Sequence, residues 1–271
     1  LDLADERDDW PTPMHVAIVE LFLDRADAVM VTSRALADRV APFGRNVHTV
    51  AHALDERLLS RTYPPLRSDP FGERPITIGY MGTATHGSDL AVVAPALRAL
   101  RERYGSRLRL EVVGVADAGS LRAMLGDTPV RVVAPGAAEK EYPLFLAWFS
   151  ATVRWDIAVS PLRDTPFTRC KSDVKLLDYC AVAAAGVYSR VPAYAESARE
   201  DETARLVHND PEAWECALSE LVEDDALRTD LAHGGARYLY RERIWNVCAA
   251  SFVDAMAAMM GGRGLSLGGQ S

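Results

Sequence analysis

At 271 residues, 49% hydrophobic and 25% charged, the chain has the composition of a globular protein with one large core or two smaller ones, which excludes extended disorder. Its formal net charge of -8 argues against a nucleic-acid-binding surface and leaves any anionic ligand to a local basic pocket. No apolar run reaches the roughly 18 residues that a membrane helix needs, and Cys170, Cys180, Cys216 and Cys248 form no C-x-x-C pair, so neither a zinc site nor a disulfide framework is indicated and a reducing cytoplasm is expected.

The first ten residues are acidic rather than signal-like, and Leu1 in place of an initiating Met suggests a fragment. Periodicity then predicts a helix over Met14 to Arg25, a strand over Ala28 to Thr32, a helix over Arg34 to Phe43 and a strand over Val47 to Val50. Two strands and two helices are half of an α/β domain and bury too little to stand alone. Residues 1–55 are therefore expected to be the remnant of an N-terminal domain. The prolines within residues 56–75 mark a linker, and residues 76–260 should form a second domain.

In that domain short apolar runs alternate with helical periodicity, as in a doubly wound, Rossmann-like parallel sheet. Strands are expected at Ile76 to Met81, Leu108 to Val113, Val130 to Val133, Asp156 to Ser160, Gly186 to Ser189 and Ala204 to Val207. Helices should follow near Ser88 to Arg103, Ala118 to Leu125, Glu139 to Ala151, Ser172 to Ala184, Ala193 to Glu200 and Pro211 to Val222, with two or three more to Met260. Residues 261–271, rich in Gly and Ser, read as a flexible tail.

The stretch Lys171-Ser172-Asp173-Val174-Lys175-Leu176-Leu177-Asp178-Tyr179 follows a predicted strand and a loop containing Pro161. If Ser172 or Asp173 caps a helix there, Lys171 and Lys175 share the face of its first turn and reinforce a helix N-terminus that already favours an anion. Asp178 falls on the same side, where a carboxylate accepts hydrogen bonds from sugar hydroxyls. A solvated, capped helix start is the alternative. His86 has two readings, a donor to a phosphate or hydroxyl and a helix cap beside Ser88. The loop Ala134-Pro135-Gly136 offers backbone groups beneath a nucleobase, whereas Asp117 reads as a helix cap. The tryptophans are read as packing residues.

Several segments in this order resemble the group 1 (family 4-like) retaining glycosyltransferases of GT-B architecture. They are Ala26 to Ser33 with Leu36-Ala37, Val47 to Asp55, Ile78 to His86, Trp155 to Leu162 with Phe167, and Lys171 to Tyr179, ending at Ser189 and Tyr194. The resemblance implies a nucleotide-diphosphate sugar held by the C-terminal domain, an acceptor held by the N-terminal domain, and no cofactor or metal. In that picture Lys171 and Lys175 neutralise the departing nucleotide, Gly82 admits its diphosphate, and Asp178 binds the ribose. Thr83, His86, Pro135, Gly136 and Ser172 complete the donor-binding set. The chain departs from the family at Ala51 and His52 and in the Ala181 to Gly186 segment. It also has Cys170 eight residues before Asp178, where the paired-glutamate motif places its other glutamate.

The resemblance leaves the acceptor unspecified (a sugar, a lipid-linked glycan or a natural product), with a partner chain or a missing N-terminal segment completing the acceptor domain. Two other readings stand beside transfer. One is a non-catalytic nucleotide- or partner-binding module, and the other is a nucleotide-sugar epimerase, for which no clustered acids or histidines are seen.

Overall fold

A computed structural model describes residues 12–43, 46–60, 74–82, 87–114 and 118–261. The helices are α1 (Pro13–Arg25), α2 (Arg34–Val40), α3 (Gly87–Tyr104), α4 (Ala118–Leu125), α5 (Tyr142–Thr152), α6 (Pro166–Arg169), α7 (Val174–Ala181), α8 (Pro192–Ala195), α9 (Pro211–Glu223), α10 (Asp225–Glu242) and α11 (Trp245–Met259). The strands are β1 (Val29–Val31), β2 (Val47–Thr49), β3 (Ile76–Met81), β4 (Leu108–Val113), β5 (Val130–Val133), β6 (Ile157–Ser160), β7 (Ala185–Ser189) and β8 (Arg205–Val207). Most of the predicted linker and nearly all of the predicted tail lie outside the described residues, as does Asp117.

Strands β3 to β8 form one sheet in the order β5-β4-β3-β6-β7-β8, every neighbouring pair parallel. The expected doubly wound parallel sheet is therefore present. Its central strands β3 and β6 are buried at every position and largely apolar because helices cover both faces. One face packs Ile78, Tyr80, Leu110 and Val159 against α3, α4, α9 and α10, with Leu90, Leu97, Trp214 and Leu218 buried between. The other packs Ala158 and Tyr188 against α5, α7 and α10 through Leu146, Phe149, Leu177 and Leu239. Gly79 in β3 is required by this second face, since a Cβ there would lie 1.8 Å from the Trp155 ring.

The strand order reverses between β3 and β6, because β4 and β5 build outward on one side and β7 and β8 on the other. Such a reversal opens a crevice at the carboxyl ends of the strands, where open α/β sheets take their ligands.

Several helices differ from expectation at their starts, where prolines set the boundary. Pro143 occupies the first turn of α5 and Pro192 that of α8, and α8 ends after only four residues. Pro166 likewise starts the short α6 in what reads as loop. α7 is shorter than the predicted 172–184. Asp173 stands at its N-cap without making a capping bond, and Ala183 takes the left-handed conformation, φ 51°, just past its end. Glycine commonly fills such a place because it lacks a Cβ.

Strands β1 and β2 form a separate two-stranded parallel sheet. Leu54 ties the chain beyond it to the opposite end of the sequence, its N–H donating to the Arg243 carbonyl at 2.9 Å and its carbonyl accepting from Trp245 at 2.7 Å. Among the described residues no helix is long and apolar enough to cross a membrane.

Candidate functional site

Two consecutive strands end in glycine at the crevice. Gly82 follows β3 and donates its N–H to the Val113 carbonyl at 3.1 Å, while Gly114 follows β4 with φ +76°. A Cβ on Gly114 would come within 3.0 Å of the Gly82 carbonyl, so both the backbone angle and the close approach call for glycine. Gly82, Gly114 and the Ala134-Pro135 segment after β5 form one side of a cavity of about 600 Å³. Val174, Lys175 and Asp178 of α7 form the other, with Glu139, Tyr142 and Phe145 at its rim.

The side chain of Tyr179 holds α7 in place. Its hydroxyl accepts from the Met81 N–H at 3.2 Å and donates to the Val159 carbonyl at 3.1 Å, fastening the helix to the ends of β3 and β6. Lys175 and Asp178, one turn apart, therefore face the same cavity. The Lys175 ammonium lies 5.2 Å from the centre of the Tyr80 ring, a distance suited to cation–π attraction. Lys175 lines the cavity, yet burial lowers its pKa to about 8. Asp89 opposes that shift, Lys171 adds to it, and Asp178 opposes it.

Asp178 is 1% exposed. Burial raises its carboxyl to about 7, against the opposing effects of the Tyr142 hydrogen bond and the Lys175 charge. The Tyr142 hydroxyl donates to Asp178 Oδ1 at 2.8 Å.

The nine predicted site residues thus separate. Gly82, Pro135, Lys175 and Asp178 line the one cavity; Gly136, Lys171 and Ser172 do not. Gly136 is packed beneath the Glu139 carboxylate, where a Cβ would meet Oε2 at 2.4 Å. Thr83 and His86 lie outside the described residues. Lys171 is not on the first turn of α7. It precedes the helix, with its N–H on the Thr168 carbonyl and its ammonium 4.0 Å from Asp89 Oδ2.

The i, i+4 geometry fails because the chain does not become helical at Ser172. The Asp173 carboxylate turns away from α7 to make two bonds with Arg243, at 2.7 and 3.0 Å. Asp89 in turn accepts from the Arg163 N–H at 3.1 Å, which anchors the loop after β6 beside Lys171. Cys170 is half-buried against the N-terminal segment. Its carbonyl accepts from the Ser33 hydroxyl at 3.0 Å, its thiol faces the Ala35 carbonyl, and burial pushes its pKa up.

Gly114, Tyr142 and Phe145 were not legible as cavity residues. Gly114 had a usable signal, since it closes β4 as Gly82 closes β3. Tyr142 had none, because 36 residues separate it from Asp178. A larger cavity of about 850 Å³ lies between the start of α2 and the ends of α8 and α10, including Ser33, Arg34, Asp173, Arg199, Glu242 and Arg243. Its Asp173 and Arg243 are paired with each other, as are Arg199 and Glu242, whereas the smaller cavity is the one at the carboxyl ends of β3 and β4, where open α/β sheets take their ligands. Among the described residues no cluster of three or more His, Cys, Asp or Glu side chains is placed to hold a metal ion.

No family model matches the sequence, and a search of curated proteins finds no match. Solved structures do resemble it. Sucrose-phosphate synthase from Thermosynechococcus elongatus superposes with a TM-score of 0.65 at 19% identity, covering 92% of this chain. HepE from Anabaena, solved with UDP and glucose, gives 0.66 at 11% identity over 90% of this chain and 67% of its own. The C-terminal domain of LpcC, a group 1 glycosyl transferase from Francisella tularensis, gives 0.51 at 19% identity, covering 70% of this chain and 98% of its own. The chain spans 62% of the length of the sucrose-phosphate synthase. At these identities the likeness is one of architecture, and the chain has the fold of GT-B glycosyltransferases.

Proposed function

We propose that the chain is a glycosyltransferase, or the donor-binding part of one, that takes a nucleoside diphosphate sugar in the 600 Å³ cavity and transfers the sugar with retention of configuration. The observation that carries this reading is the convergence of Lys175 and Asp178, from one helix, with Gly82 and Gly114 at the carboxyl ends of β3 and β4. A cation and glycine backbone suit a diphosphate, and a carboxylate suits ribose hydroxyls. Val132, Pro135 and Phe145 offer an apolar wall for the base.

Lys175 would stabilise the charge growing on the nucleotide as the glycosidic bond breaks, with Lys171 contributing from outside the cavity. In this reading the lysines serve where other transferases use a metal. Attack by the acceptor on the face the nucleotide leaves accounts for retention. Selecting that acceptor would require further polypeptide over β1 and β2, a role supported by the exposed Met14, Phe22 and Met30. The four free thiols support a reducing, cytoplasmic setting.

The test is thermal unfolding with UDP, GDP and ADP and their sugar conjugates. A nucleotide at a hundred times its dissociation constant should stabilise the fold by about 2.7 kcal/mol, and Lys175→Ala should abolish most of that gain. If no nucleoside diphosphate stabilises the chain, the donor site is not there.

A further inference from the structure

Asp178 is the one carboxylate lining the cavity that is fully buried, and its two oxygens differ in surroundings. Oδ1 accepts from Tyr142, 2.8 Å away, whereas among the described residues no hydrogen bond reaches Oδ2. Tyr142 stands in the first turn of α5, which packs beside α7 on the same face of the sheet, and is 44% exposed. Its hydroxyl fastens a group on the neighbouring helix.

We propose that Tyr142 is a positioning residue for ribose recognition, its hydroxyl holding Asp178 Oδ1 so that Oδ2 is presented, ionised, to the vicinal hydroxyls of the nucleotide. This inference rests on the donor-site reading above. A carboxylate with one oxygen fixed cannot rotate freely about its terminal torsion, so the second lone-pair set is preorganised. The hydrogen bond also favours the charged form, and only that form offers acceptors alone, since a protonated carboxyl would present a donor to the sugar. The ring of Tyr142 closes the wall beside Phe145, a role that phenylalanine fills equally well. The hydroxyl is thus separable from the wall.

The other groups around Asp178 leave Tyr142 as the adjustable one. Lys175, on its own helix, favours the carboxylate. Tyr179, Tyr188, Tyr194 and Cys180 feel its charge, but burial raises all four well above neutrality, so they stay uncharged where Asp178 titrates.

The experiment measures the affinity of the full chain for UDP and GDP, each against its 2′-deoxy counterpart, from pH 6 to 8, in wild type, Tyr142→Phe, Asp178→Asn and the double variant. Tyr142→Phe should weaken the ribonucleotides about five- to tenfold near pH 7, weaken the deoxynucleotides less, and move the acidic limb of the binding profile to higher pH. It should change nothing further once Asp178 is Asn. If Tyr142→Phe weakens ribo- and deoxynucleotides equally and leaves the pH limb in place, Tyr142 is only a wall and the proposal fails while the donor site stands. If wild type binds no nucleoside diphosphate at all, the donor-site reading falls and takes this inference with it.

Discussion

At the scale of residues, the two charged groups that α7 brings to the cavity are both held against their preferred states. Burial raises Asp178 to about 7 and lowers Lys175 to about 8, so near neutrality each stands close to losing its charge. A nucleoside diphosphate needs the carboxylate ionised for the ribose and the ammonium protonated for the phosphates. Affinity should therefore be bell-shaped in pH, falling below about 7 as Asp178 takes up a proton and above about 8 as Lys175 gives one up.

Titration calorimetry across pH 5.5 to 9.5 in buffers of matched ionisation heat would trace the two limbs. Asp178→Asn should erase the acid limb only, and a flat profile would mean that neither group meets the ligand. The same shifts make the empty protein pay for its site. Asp178 binds its proton more tightly folded than unfolded, so its contribution to stability is present below its unfolded value and is lost as pH rises through about 7. Lys175 is the converse, its contribution lost as pH falls through about 8.

At the scale of elements, Arg243 shows how a distant partner overrides a local pattern. Asp173 stands at the head of α7 with the residue type of a helix cap, yet its carboxylate is spent on Arg243, seventy residues on, which also donates to the Tyr238 hydroxyl and, at 3.0 Å, to the His52 carbonyl. The arginine thus joins α7, the end of α10 and the segment after β2. Removing it leaves Asp173 buried and unpaired, and Arg243→Ala should cost about 3–5 kcal/mol in denaturant unfolding. A loss under about 1 kcal/mol would show the pair to be relaxed by water.

What could be read in advance divides along the same line. The strands of the main sheet were legible because parallel strands covered on both faces are largely apolar runs, as Ile76 to Met81 is with Thr77 its one polar side chain. Lys175 and Asp178 were legible because i, i+3 spacing on one helix is a local property. The geometry of Lys171, the fate of Asp173 and the contact of Tyr142 depend on residues 36 to 82 positions away, and no periodicity carries them.

At the scale of the whole molecule, the two sheets are unequally supported. The six-stranded sheet lies between two apolar layers. The β1–β2 pair has little cover, with no residue of α1 buried and Met14, Leu21 and Phe22 exposed there. Val31 and Val40 are the buried apolar residues of β1 and α2, and a two-stranded sheet is marginal without such burial.

What holds this segment to the larger sheet is confined to a few points. Ser33 bonds to the Cys170 carbonyl, and Leu54, buried in the core of the larger sheet, is bridged to the turn before α11. Hydrogen exchange should accordingly separate two cooperative units, with amides of β1, β2 and α2 exchanging through openings that leave β3, β4, β6 and β7 protected. The protection factors of the first group should be at least about tenfold lower, equivalent to roughly 1.4 kcal/mol. Equal protection in both sheets would show that the joint at Leu54 and Arg243 couples them into a single unit, in which case Arg243→Ala should reduce the two together.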